Sequence, residues 1–320
     1  MSVFSSAVLA LMLAATPGLV AAQEHGAPAT AGAKVDIITP HITDGYHLEL
    51  PTWRPPFAME VCIGRKVSEH ECLPLWEDVH VGGWTLNLSP TKHVVFLLLA
   101  AFLASAVLIG AARAHARHTH EVGRPKGFAA GIEAMVLYIR NEVILPNVGH
   151  HGNGFVPYLL TAFFFILAAN VLGLIPYGST ATGNIAVTAT LALMTFVVVE
   201  VAGMRALGVG YLSTIFYWNT ELGLPMRIAM LLLVSPVELI GKFTKPFALA
   251  IRLFANMTAG HIVLLAFIGL IFSFGSLLSA APFLMAVAMS MLELMVAFLQ
   301  AFIFTLLSAV FIGVVREAHH

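Results

Sequence analysis

Forty consecutive residues, 253–292, contain no Asp, Glu, Lys or Arg. Arg252 stands immediately before this run and Glu293 immediately after it. An apolar run well beyond 18 residues reads as membrane-spanning helix, because a hydrocarbon core of about 30 Å takes about 20 residues of helix. A charge set among such residues costs at least ~2.5–3.5 kcal/mol on insertion scales. Arg252 carries that cost with no carboxylate beside it in sequence, so the charge has a task.

The whole chain is built in the same way. Hydrophobic residues make up 59%, charged residues 10%, and the mean hydropathy is +0.89, where a soluble domain carries about 25% charged residues. The charges are segregated: nine of the 17 acidic residues lie before residue 80, and basic residues gather after the first apolar span. There is no basic nucleic-acid patch, Gly-rich phosphate loop or Ser/His/Asp pattern. The composition therefore predicts an all-α integral membrane protein that works within the bilayer and uses no cofactor.

Residues 1–22 have the apolar core, Pro-Gly break and small-residue site of a signal peptide, although the positively charged start is missing. An uncleaved anchor is the alternative. Residues 23–90 are polar, proline-rich and acidic, with too few periodic apolar positions for a sizeable core. They read as an exported extension. Both cysteines lie there; an oxidising compartment would allow a Cys62–Cys72 disulfide, and two free thiols are the alternative.

Residues 91–320 form the membrane domain. The first span covers residues 94–112 and is followed by Arg113, Arg117, Arg124 and Lys126. The excess of basic residues places that end in the cytoplasm and the N-terminal arm outside. His115, His118 and His120 read as a solvated juxtamembrane segment rather than a metal cluster. Residues 128–145 are amphipathic, with Phe128, Ile132, Met135, Val136, Ile139 and Val143 at helical spacing, as in a helix on the cytoplasmic surface. Two spans, 155–175 and 185–201, flank a Pro/Gly/Asn turn cluster at 176–184. A connector at 208–223 leads to a long helical region from Pro225, in which Pro236 and Pro246 are expected to kink the helix. Lys242 and Lys245 read as charges snorkelling to the interface. After a turn at 274–282 the last helix runs over 283–315, longer than a perpendicular crossing needs, so it is expected to tilt strongly. About five crossings put the C-terminus in the cytoplasm.

The last two helices form an antiparallel hairpin, in which residues at one level have a constant sum of numbers. Arg252 and Gln300 sum to 552; His261 and Glu293 sum to 554. Two polar pairs should therefore bridge the hairpin on neighbouring levels. Asn256 lies one turn beyond Arg252, and Glu238 lies about four turns before it, near the same face. A guanidinium that keeps its proton makes a fixed positive barrier, while histidine and carboxylate gain and lose protons. The combination suits a proton path that must be interrupted. Taken singly, His261, Asn256 and Gln300 could be no more than interhelical hydrogen bonders.

At these residues the sequence resembles subunit a of F-type ATP synthases. The resemblance rests on RLFANMTAGH at 252–261, KPFALAIR leading into it, ELMVAFLQAFIF at 293–304 and NVLGLIP at 170–176. It covers the chain from about Lys92 onward and leaves residues 1–90 unexplained. It implies that Arg252 is the family's essential arginine, facing the carboxylate carried by each subunit of a rotating c-ring. Two offset half-channels would reach that carboxylate from opposite sides. His261 and Glu293 would belong to the outer one, Glu238 to the cytoplasmic one, and Asn256 and Gln300 to polar positions near the arginine. Many bacterial members have Glu where this chain has His261 and His where it has Glu293; the exchange occurs in mitochondrial-type members. The chain would have no catalytic site of its own. Its partners would be the c-ring, subunit b of the peripheral stalk, protons and the lipid bilayer of a bacterial inner membrane, with no nucleic acid.

Two alternatives differ in class. A stand-alone transporter would need internal repeats around a midplane site, and the polar positions here are concentrated in one hairpin. A structural subunit would lose no proton flux when Arg252 is changed. Sodium in place of protons is a further alternative, because ion choice lies mainly in the ring.

Overall fold

The computed structural model describes residues 44–51, 58–66, 72–76, 79–81, 84–86, 89–117, 127–149, 152–175, 180–211, 224–273 and 278–317. The signal segment expected at 1–22 and the histidines at 118 and 120 lie outside the described residues.

Five helices are long and apolar enough to cross a membrane, over Lys92–Ala114, Val156–Gly173, Ile185–Leu207, Ile228–Ile271 and Ala280–Arg316. The protein is thus an all-α multi-pass membrane protein in its main body. In chain order the helices are α1 (Lys92–Arg117), α2 (Phe128–Tyr138), α3 (Val156–Gly173), α4 (Ile185–Leu207), α5 (Leu224–Ser273) and α6 (Ala280–Glu317). At ~1.5 Å per residue, α5 and α6 far exceed the ~30 Å hydrocarbon thickness, so they lie oblique to the membrane normal or project beyond it.

The core forms where α3 meets its neighbours. α3 is apolar on all sides, as befits a helix surrounded by others, and Leu159, Phe163 and Ile166 are fully buried. Phe163 packs edge-on against Phe164 and against Phe298 of α6. Leu253 of α5 and Phe304 and Ile312 of α6 complete the same core. α1 is peripheral: Phe102 is 71% exposed.

The amphipathic segment is longer than the sequence predicts. α2 continues through a π-helical stretch, Ile139–Ile144, into Leu145–Val148. The wider turn accommodates an extra residue, and Ile139, Val143, Ile144 and Val148 all point inward. Phe128, expected on the apolar face, is instead exposed. α4 extends six residues past its expected end at 201, to Leu207. α6 starts at Ala280, with Pro282 inside its first turn, where missing N–H groups cost little. α5 runs through both Pro236 and Pro246 as one helix.

Three short antiparallel hairpins make up the described part of the N-terminal arm: β1 (His47–Pro51) with β2 (Ala58–Cys62), β3 (Arg65–Lys66) with β4 (Cys72–Leu73), and β5 (Val79–Val81) with β6 (Trp84–Leu86). Cys62 and Cys72 are joined in a disulfide across a separation of 10 residues, with a Cα–Cα distance of 5.9 Å. The arm is fastened to the membrane domain by Asp44 and Gly45. The Gly45 carbonyl accepts from the Lys92 N–H at 2.9 Å, one of the orphan donors at the start of α1. Asp44 lies 3.8 Å from His93 and accepts from the Asn184 amide at 3.4 Å. Asn184 also caps α4, its side chain accepting from the Ala186 N–H. Burial raises the Asp44 pKa above its usual value, against the lowering effect of hydrogen bonds from Thr91 and the backbone and of the Lys92 charge.

Candidate functional site on the α5–α6 hairpin

Two long helices joined by a short turn can only run antiparallel, and buried polar groups lie on both of them. Gln300 is buried, 1% exposed, and its Oε1 accepts from the Asn256 amide at 2.9 Å. Level counting pairs Gln300 with Arg252, but the bond forms one turn further along α5. Helical side chains lean toward the N-terminus of their own helix. On antiparallel helices they therefore lean past one another, and partners that meet have a larger sum than backbones at equal height.

Seven residues before Gln300, and on the same side of α6, lies Glu293. It is 1% exposed, and neither carboxylate oxygen has a hydrogen-bond partner among the described residues. Its carboxylate rests on the backbone of α5 at Gly260. A Cβ added there would stand 2.8 Å from Glu293 Oε1, so the absence of a side chain makes room for the acid. His261, also buried, is the next residue.

Arg252 lies on a different surface. It is exposed, and no acidic side chain among the described residues lies within 4 Å of it. Phe243, Phe247 and Ile251 of α5 are exposed beside it in sequence, and Leu284, Met291, Met295 and Leu299 are exposed on α6. Asn256 is exposed as well, so its amide links this surface to the buried Gln300. Glu238 is exposed further toward the start of α5.

Two polar groupings escape a reading of the sequence. Asn170, fully buried in α3, donates to the Ala297 carbonyl of α6 at 3.3 Å and accepts from the Thr182 hydroxyl at 2.7 Å. Ala297 is one turn from Glu293. The signal was an amide alone in an apolar helix, which needs a partner across the helix interface. The second grouping is Glu200, Tyr211 and Lys242. Lys242, expected to snorkel to the interface, is buried instead. Its ammonium donates to the Tyr211 hydroxyl and lies 3.5 Å from Glu200, while Tyr211 donates to Glu200. A lysine whose partners come from another helix and a connector has no local sign of burial. No group of three or more His, Cys, Asp or Glu able to hold a metal occurs among the described residues.

The fold and this hairpin define a helical membrane protein with several ionisable groups along one pair of long helices. Residues 94–313 match the family described as ATP synthase A chain. The chain is 41% identical over 319 residues to ATP synthase subunit a of Anaeromyxobacter dehalogenans (strain 2CP-C), covering 96% of this chain and 76% of the relative. It is 43% identical over 293 residues to that of Myxococcus xanthus (strain DK1622), covering 89% and 91%. With that of Chloroherpeton thalassium (strain ATCC 35110 / GB-78) it shares 47% over 245 residues, covering 75% and 71%. The chain belongs to the ATP synthase A chain family and is a component of the membrane sector of ATP synthase.

Proposed function

We propose that this chain is the proton-translocating stator subunit of the complex. It provides two offset half-channels and a barrier arginine against a rotating ring of carboxylate-bearing subunits. The observation that carries this reading is the setting of Arg252. A guanidinium stays charged in such surroundings, and this one is exposed, without an acidic partner among the described residues. A carboxylate supplied by a second protein would complete it.

In this mechanism a proton enters from the outside, passes the His261–Glu293 region and neutralises a ring carboxylate, which can then turn into lipid. A carboxylate arriving from the other direction releases its proton to the inside near Glu238. Arg252 attracts the ionised carboxylate and blocks direct passage between the two paths, and Asn256 and Gln300 hold the hairpin together beside it. The chain itself performs no ATP chemistry. Arg113 beside the end of the first span supports a cytoplasmic location for that end, with residues 23–90 outside the inner membrane as an extension and the C-terminus inside. The c-ring and the peripheral stalk's subunit b are its expected neighbours.

The test is ATP-driven proton uptake by inverted membrane vesicles carrying the whole complex. Arg252→Ala should abolish uptake and allow passive leak once the catalytic sector is stripped. Arg252→Lys should fail too, because a desolvated lysine can lose its proton. Uptake retained in Arg252→Ala would overturn the proposal. A requirement for sodium in the wild-type assay would replace the proton by sodium.

A further inference from the structure

Lys242 follows Glu238 by four residues on α5, with the acid nearer the N-terminus. That is the favoured arrangement for an ion pair along a helix. The pair does not form. Lys242 is 8% exposed and is bound to other partners. Its ammonium lies 3.5 Å from Glu200 Oε1, donates to the Tyr211 hydroxyl and sits 4.0 Å from the centre of the Tyr211 ring. Tyr211 is itself fixed from two sides. Its hydroxyl donates to Glu200, and its ring rests on Gly203 of α4, where an added Cβ would stand 2.5 Å from a ring carbon. Glu238 remains exposed, with no hydrogen bond or ion pair within 4 Å among the described residues, although its charge is near enough to act on the Tyr211 phenol.

Other charged groups of this inner region are also occupied. Lys245, two turns from Glu238, lies 5.6 Å from the Phe311 ring of α6, and Arg316 of α6 donates to the Val148 carbonyl at 2.9 Å. Arg205 lies further along α4. Lys242 is thus the cation best placed along α5 to neutralise Glu238, and it is the one held by two side chains from outside its own helix. Glu200 and Lys242 face a cleft whose lining also includes Thr195, Lys245, Leu249 and Phe311. Leu249 is one turn before Arg252 on α5.

We propose that Glu200 and Tyr211 are positioning residues, which hold the Lys242 ammonium away from Glu238 and so leave that carboxylate free to exchange protons on the inner side. The proposal rests on Glu238 serving the inner path. Glu238 takes a proton from an arriving ring carboxylate and releases it to inner water, and in ATP-driven pumping it runs the exchange in reverse. A salt bridge to Lys242 would favour its ionised form and make proton capture from the inside harder as pH rises. An opposite charge at close range lowers a carboxyl pKa by about one to three units.

The experiment measures ATP-driven pumping by the whole complex in inverted vesicles, as a function of external pH. Rates are normalised to uncoupled ATP hydrolysis, and the amount of this chain in the complex is quantified. Glu200→Gln should move the alkaline limb of the profile about one unit toward acid pH, with the complex assembled in normal amount. Tyr211→Phe should move it the same way by less. Adding Lys242→Met to Glu200→Gln should return the limb to its original position. A purely structural role for the cluster predicts a lower amount of complex with an unmoved profile, and that result would overturn the proposal. So would a shift that persists after Lys242 is removed. Glu238→Gln in the otherwise unchanged chain tests the underlying reading separately: unimpaired pumping there would remove the inner path itself, and the positioning role with it.

Discussion

The two ends of the α5–α6 hairpin treat their carboxylates in opposite ways. Glu293 is enclosed, set into the gap left by Gly260, with neither oxygen hydrogen-bonded among the described residues. Glu238 is exposed, and its natural cation is drawn off toward Glu200 and Tyr211. One acid is isolated by packing and the other by diversion of a charge. Both devices leave a carboxylate uncommitted, which structural carboxylates in apolar surroundings seldom are, because buried charges are normally paired. Position is therefore specified more tightly at Glu293, where a side chain has to fit, than at Glu238, where a competitor has to be kept away.

The comparison can be broken most directly at the enclosed acid. Glu293→Gln keeps the shape and removes the titration, and should lower ATP-driven pumping by about a hundredfold, the lower end of the range for a proton-transferring group. Glu238→Gln should cost several-fold less, because a carboxylate open to its surroundings has other carriers at hand; equal losses would erase the contrast. At Gly260 a methyl group is enough to probe the enclosure. Gly260→Ala should destabilise the assembled complex by about 1–3 kcal/mol, as overpacking does, seen as a lower midpoint of thermal unfolding in detergent. No change would mean that Glu293 is not held by the fit. Next in size is the Asn256–Gln300 bridge. A double-mutant cycle with Asn256→Ala and Gln300→Ala should give a coupling of about 0.6 kcal/mol, as for other interhelical hydrogen bonds in membranes.

The smallest effect is expected at the arm. Asp44 has a raised pKa because it is buried, so the docked arm binds more protons than the undocked arm. Docking then strengthens as pH falls toward the raised value and weakens above it. Hydrogen-exchange protection of the Lys92 amide, which donates to Gly45, should rise as pH is lowered from neutral. Asp44→Asn should keep the protection and remove its pH dependence.

The spans were legible because hydropathy over 18 residues reports the bilayer directly. The hairpin was legible because a short turn leaves its partners a single direction. The fine pairing was not. Level counting takes residues as points on an axis, and the lean of Asn256 and Gln300 moved their bond by a turn. The burial of Lys242 could not be read either, since its partners Glu200 and Tyr211 lie 42 and 31 residues away and the nearest acid in the helix is the one it avoids. In the arm, strands of two to five residues carry too little alternation to stand out, and the contact of Asp44 with Asn184 spans 140 positions.

The exposed apolar side chains of α5 and α6 have a mechanical meaning if a ring rides there. Among the described residues they include Phe247, Leu284, Met291, Met295 and Leu299, and methionine is soft, unbranched and able to repack. Such groups make no directional bonds that would have to be broken at each step. A surface built from them adheres to every passing ring subunit about equally and to none in particular, so it acts as a bearing. On the proposed reading the friction it adds would be low, and the Arg252 guanidinium would be left to tell a loaded site from an empty one.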